Sequence, residues 1–196
     1  RLFRRREGRR IPVRRIYQRV VPDELEQSDI RMPFRLGEDL EVEWAPHPAW
    51  FFLWSKNSLP RLDHWAIPET RLLSDLDEFP DEPERWVLKP LYSFAGSGVN
   101  VDPTRADIEA VPEADRTQWV LQEKVHYAPA LESVEGFGVK AEVRCMFARP
   151  DDQTEMTLLM NLVRFSRGKM MGVDHNKDLS WTGASVGLWT PDAPGR

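Results

Sequence analysis

The chain has 196 residues and a mass of 22.8 kDa, with 41% apolar and 30% charged side chains. That is enough to bury a core, and it excludes whole-chain disorder. The longest unbroken apolar run, Ala49–Trp54, is far short of the roughly 20 residues that cross a bilayer, so no membrane partner is expected. The one cysteine, Cys145, excludes a disulfide framework and a cysteine zinc site, and it suits a reducing cytoplasm.

The net charge of −5 conceals a segregation. Residues 1–19 carry nine arginines against one acid, Glu7, which leaves eighteen bases against thirty-one acids, a net of −13, in the rest. Ile11, Val13, Ile16, Tyr17 and Val20 interleave with the arginines, and Glu7-Gly8 reads as a turn, so a basic hairpin is predicted. A basic arm can neutralise nucleic-acid phosphates. The interleaved apolar residues instead favour a folded strand pair with solvated arginines, and the −13 elsewhere argues against a polyanion. Nucleic acid is therefore not expected as a partner. A chain that opens on Arg also reads as part of something longer.

Val21 to Leu36 reads as a short helix and a loop. Leu40, Val42 and Trp44 alternate as in a strand over Asp39–Trp44. Ala49–Trp54 reads as a buried strand or core-facing segment, with Trp44, Trp50 and Trp54 assigned to packing rather than to a substrate pocket. Ser55 is placed to cap a helix through Leu59–Trp65. After an acidic loop over Asp75–Arg85, Trp86-Val87-Leu88-Lys89 forms a short strand stopped by Pro90. Thr104 with Asp107 matches a capping box. Further strands are predicted over Trp119–Val125, Lys140–Ala148 and Met156–Phe165, with Trp86 and Trp119 in the core. The class is α+β with mostly antiparallel pairing.

Lys89 draws attention first. It ends a strand and precedes Ser93, Gly96, Ser97 and Gly98. Glycines let backbone N–H groups approach phosphate oxygens while a lysine supplies a point charge. The order differs from a P-loop, and an ordinary hairpin is the alternative. Trp119–Val125 turns polar at Gln122, so it can face an adenine edge or simply be an amphipathic edge strand. Period two sets Lys140, Glu142 and Arg144 on one strand face and Ala141, Val143, Cys145 and Phe147 on the other. That charged face is either solvated or lines a phosphate cleft. Arg164 is a second cleft candidate, and Asn161 can join it only through a bulge.

Gly183-Ala184-Ser185-Val186-Gly187 matches a nucleophile elbow, but no histidine follows Ser185. His47, His64, His126 and His175 have no metal spacing, and His126 reads as a surface or structural residue. Cys145 reads as a buried thiol. Asn176 and Lys177 with Trp181 are candidates to close over a substrate carboxylate.

Taken in order, several elements resemble the ATP-grasp superfamily. They are Ser55-Lys56, Ile67-Pro68-Glu69-Thr70, Val87-Leu88-Lys89-Pro90, the loop Phe94–Val99, Gln122–Val125 and Glu142-Val143-Arg144. Gly8–Ile11, Ile16–Arg19 and Leu162-Val163-Arg164 bring the chain closest to the circularly permuted type related to glutathionylspermidine synthase, over roughly residues 8 to 190. The resemblance implies an incomplete ATP-grasp module of antiparallel sheets with flanking helices. Its parts would be lead-in strands (1–55), a lysine and glycine-loop lobe with an adenine hinge (56–128) and an arginine-bearing sheet lobe (129–196).

The resemblance also implies roles. Lys56 and Lys89 would hold the phosphates of ATP, with Ser93 beside them and Gly96, Ser97 and Gly98 as a flap. Gln122, Glu123, Lys124 and Val125 would line the adenine. Arg144 and Arg164 would be the catalytic charges on the transferring phosphoryl group. Glu142 and Asn161 are the candidate ligands for Mg²⁺, whose full acidic set would lie before Arg1. The implied reaction is an ATP-dependent ligation of a small-molecule or peptide carboxylate to an amine through an acyl phosphate. A catalytically inactive nucleotide-binding module and an arginine-arm nucleic-acid binder are the alternatives.

Overall fold

Glu7 and Gly8 both take positive φ, 50° and 74°, which closes a two-residue turn whose twist matches a hairpin. In a computed structural model describing residues 1–22, 25, 28–93, 96–172 and 176–188, strands β1 (Phe3–Arg6) and β2 (Arg9–Pro12) pair antiparallel across that turn. They form a two-stranded sheet of their own, as predicted. The next pair, β3 (Arg15–Tyr17) and β4 (Glu43–Ala45), is parallel. The strand expected over Asp39–Trp44 thus forms only at its end. The Leu40 and Val42 amides donate to Glu38 and Leu40 carbonyls at 2.9 and 2.7 Å, tight local turns that withdraw them from any ladder.

Ala49–Trp54 is neither a buried strand nor core. It forms the helix α1 (Trp50–Trp54), entered through Pro48 and through His47, whose ring Nδ1 accepts the Ala49 amide at 3.2 Å. A six-residue apolar run carries no period that separates strand from helix. The packing assigned to its tryptophans is corrected too: Trp50 and Trp54 touch each other, and Trp54 is 76% exposed. Ser55 does cap the next element, accepting the Asn57 amide, but that element is a 3₁₀ turn, Lys56–Arg61, containing Pro60. It stops short of Trp65.

Strands β5 (Thr70–Leu72), β6 (Trp86–Pro90) and β7 (Trp119–Glu123) form an antiparallel sheet in the order β5-β7-β6. Leu88 and Leu121 project from one face onto Leu73, Ile108 and Val111, the buried core, flanked by Trp86 and Trp119. Each such side chain contributes about 1.5–3 kcal/mol on burial. The helix α2 (Arg105–Glu109) supplies Ile108, and Thr104 and Asp107 close the predicted capping box. The other sheet face carries Thr70, Val87, Lys89, Val120 and Gln122 by strand alternation.

A second unit, Val125–Arg196, is distinct from the first, Arg1–Lys124. It is built on the antiparallel sheet β11-β10-β9-β8, from β8 (Pro129–Glu132), β9 (Gly138–Ala148), β10 (Thr157–Ser166) and β11 (Gly183–Ser185). Cys145 is exposed, not buried, because its face of β9 is open there and leaves Val143 and Phe147 exposed as well. The architecture is mixed α+β and mostly antiparallel. Among the described residues the α-helices α1 and α2 are only five residues each, slighter than the flanking helices expected. No helix among the described residues is long and apolar enough to cross a membrane.

Candidate functional site

The polar face of the three-stranded sheet gathers four of the predicted residues. Thr70 lies opposite Gln122 on the neighbouring strand, and its hydroxyl donates to the Pro68 carbonyl at 3.1 Å. That leaves Thr70 Oγ1 to accept from Gln122 Nε2 at 2.9 Å. The amide of Gln122 is thereby oriented, and its Oε1 accepts from the Lys89 ammonium. Lys56, at the start of the 3₁₀ turn, donates to Ser93 Oγ at 2.9 Å and to the Ser93 carbonyl at 3.3 Å.

Two lysines therefore share this neighbourhood. Burial pushes the Lys89 ammonium below the usual lysine range, and the charge on Lys56 pushes it further. Burial disfavours any charged group, and a like charge nearby adds to the penalty. An anion relieves both effects at once.

The glycine loop follows directly. Gly96 and Gly98 take φ of 82° and 70°, where a side chain is strained, and a Cβ on Gly98 would stand 3.2 Å from the Pro90 ring. Gly96, Ser97 and Gly98 form a turn in which the Val99 amide donates to the Gly96 carbonyl. Phe94 and Ala95, also part of the predicted flap, lie outside the described residues, as do His175 and residues 23, 24, 26 and 27 of the predicted first helix. Tyr92 anchors the start of the loop: its ring stacks on Phe51 at 5.8 Å and meets Phe52 edge-on at 5.7 Å.

The other residues expected to line an adenine are placed differently from Gln122. Glu123 is exposed and its amide donates to the Glu69 carbonyl. Lys124 pairs with Asp102 at 2.6 Å and donates to the Glu84 carbonyl, so its charge is matched within the fold. Val125 is exposed where the second unit begins.

In the second unit, Glu142 and Arg164 are directly cross-strand and joined by a two-pronged ion pair, with N–O distances of 3.0 and 2.5 Å. Arg144 shares their face and is exposed. Tyr127 lies beside the pair: burial raises its phenol, Glu142 raises it further, and Arg164 opposes both. The bulge in β10 falls at Leu158/Met160, ahead of Asn161, so Asn161 and Arg164 stay on opposite faces.

Asn161 is buried and both ends of its amide serve Gly187, accepting from its N–H at 2.6 Å and donating to its carbonyl at 3.0 Å. Glu142 and Asn161 thus cannot share one Mg²⁺. The first is neutralised by Arg164, the second is spent on the backbone, and no acid cluster able to hold a metal occurs among the described residues. The expected Mg²⁺ set does not fit.

Asn176 does not face a substrate either. It is buried, accepting from Ser166 Oγ and the Gly168 amide and donating to the Met170 and Gly172 carbonyls, so it braces the turn after β10. Ser185 lies in β11 paired with Val163, which disposes of the nucleophile elbow. Sequence reading passed over the polar role of Thr70 and missed Tyr127 altogether. Thr70 carried a signal, a strand-start hydroxyl after Pro68, whereas nothing local marked Tyr127.

No protein-family model matches this chain, and neither the curated proteins nor the solved structures yield a match.

Proposed function

We infer that the chain binds the phosphates of ATP on the Lys56 and Lys89 face, as the phosphate-holding part of an ATP-grasp-type ligase. The observation that carries this is the lysine pair beside Ser93 and the Gly96–Gly98 turn, with Lys89 depressed by burial and by Lys56. Phosphate oxygens accept from both ammonium groups, and the open glycine backbone admits them without a Cβ in the way.

The ligase chemistry comes from the resemblance. The γ-phosphoryl group passes from ATP to a carboxylate oxygen, releasing ADP. An amine then attacks the acyl carbon, phosphate leaves, and the amine loses a proton to give the amide. Arg144 and Arg164 take their roles at the phosphoryl group from the same resemblance. A second reading, nucleotide binding without ligation, is favoured by the mutual pairing of Glu142 and Arg164 and by the engagement of Asn161 with Gly187.

Thermal melting with and without ATP tests the binding. A ligand at 100 times its Kd adds about 2.7 kcal/mol to stability. Lys89→Met should remove that shift while the protein still melts cooperatively. An unshifted melt for the parent chain, or an equal shift in Lys89→Met, would refute the assignment. Carboxylate-dependent ADP release, with hydroxylamine trapping the acyl phosphate, separates ligase from simple binder.

A further inference from the structure

The β1–β2 hairpin takes no part in the core and none in the lysine face. Its register sets Arg5 opposite Arg10 and Arg6 opposite Arg9. Like charges directly across an antiparallel pair destabilise it, so these four residues work against the element that carries them. Among the described residues, acids neutralise only Arg6 of these four. Arg1 and Arg15 pair with Glu41 and Glu43, and Arg6 reaches Glu7 at 3.8 Å. Arg4, Arg5, Arg9, Arg10, Arg14 and Arg19 are all exposed and have no acidic partner among the described residues. Arg10 lies over the Phe3 ring at 4.5 Å, which holds its stem down and its guanidinium on the ribbon surface.

We propose that this hairpin is a docking ribbon for the phosphate backbone of double-stranded DNA. Several features match that ligand. A tight two-residue turn makes a narrow two-stranded ribbon, and the major groove of B-form DNA, about 12 Å wide, admits such a ribbon. Alternate residues on a strand recur at about 6.7 Å, so Arg4 and Arg6 on one face, and Arg9 beside them, form a regular row of forks suited to bidentate phosphate contact. Sequence alone set the net of −13 elsewhere against a polyanion. Exposed charges are screened beyond about 8 Å at physiological salt, so a ribbon in which four of five arginines lack an acidic partner among the described residues is decided by its near field. A hairpin that needed its arginines only for solubility would not set them in facing pairs.

The test uses the whole chain and a fluorescently labelled 20-base-pair duplex of mixed sequence, followed by anisotropy across a salt series. With four to six phosphates neutralised, log Kobs should fall against log salt with a slope of roughly −4 to −5. The double variant Arg9→Glu with Arg10→Glu sets opposite charges against Arg6 and Arg5, so the hairpin gains cross-strand pairs while losing four units of charge. That variant should lose binding at least 100-fold. Replacing Arg5, Arg6, Arg9 and Arg10 together by Lys should keep the steep slope. No binding at low salt, a flat slope, or an unchanged affinity in the double Glu variant would overturn the proposal. So would concentration-dependent self-association of the parent chain that the double Glu variant abolishes without any DNA binding, since the hairpin's partner would then be an acidic face of a second copy.

Discussion

Gln122→Glu is the most discriminating change on the lysine face. Gln122 is 9% exposed and links Thr70 to Lys89, so the substitution alters charge with little change in volume. On the Thr70 side, a donated hydrogen bond is lost and the hydroxyl must turn to the new carboxylate, which costs about 1 kcal/mol. On the Lys89 side, a neutral acceptor becomes a charged one, which returns about as much. Stability should therefore stay within about 1 kcal/mol, a few degrees in Tm.

Anion binding should not survive. A unit charge about 6 Å from a bound phosphate, at an effective dielectric near 20, opposes it by about 3 kcal/mol. That is roughly a 100-fold rise in Kd. Calorimetric titration of ATP, and of tripolyphosphate as a base-free probe, measures the change, with thermal melting as the folding control. If a well-folded Gln122→Glu protein bound both within threefold of the parent, the phosphates would not lie on this face.

Other predictions address the same physics elsewhere. Because the folded protein holds Lys89 below its ordinary range, the unfolded chain binds more protons between that lowered value and about 10.5, so stability should rise with pH across the window and the slope should vanish in Lys89→Met. A bound phosphate favours the ammonium form, so ATP affinity should fall as pH rises through the same window. Leu121→Ala removes a side chain packed against Leu73, Leu88 and Ile108 and should cost about 3 kcal/mol by denaturant melting; a loss under 1 kcal/mol would mean the core is not closed there. Asn161→Ala strands the Gly187 N–H and carbonyl and should destabilise by about 2 kcal/mol without altering any metal dependence of ATP binding, whereas a selective loss of metal dependence would restore Asn161 as a ligand.

Much of the fold was written locally. The Glu7-Gly8 turn, the capping box at Thr104 and the long strands around Glu142 and Arg164 were legible because short-range geometry decides each of them: positive φ, an i to i+3 hydrogen bond, and period two. Lys56, Lys89, Ser93 and Gln122 were legible as candidates for the same reason, as residue types at strand ends and turns. Where local signals tie, the sequence is mute. The run Ala49–Trp54 fits a strand or a helix equally, and only its setting between Pro48 and Ser55 made it an exposed helix. Leu40 and Val42 alternate like a strand, yet their amides close on their own segment.

The sequence by itself determined the α+β class, the charge segregation and the residue types available for chemistry. The tertiary structure decided which of those residues meet. Thr70 and Gln122 are 52 residues apart and Lys56 and Ser93 are 37 apart, and each pair joins only because strand pairing and a 3₁₀ turn close the intervening chain. It also parted residues the sequence had grouped, since the bulge falls ahead of Asn161 rather than between it and Arg164 and leaves them on opposite faces. The charge segregation changed meaning as well. The count of arginines is a property of composition, but whether they find acids is a property of distance, and in the hairpin four of them, Arg4, Arg5, Arg9 and Arg10, find none among the described residues.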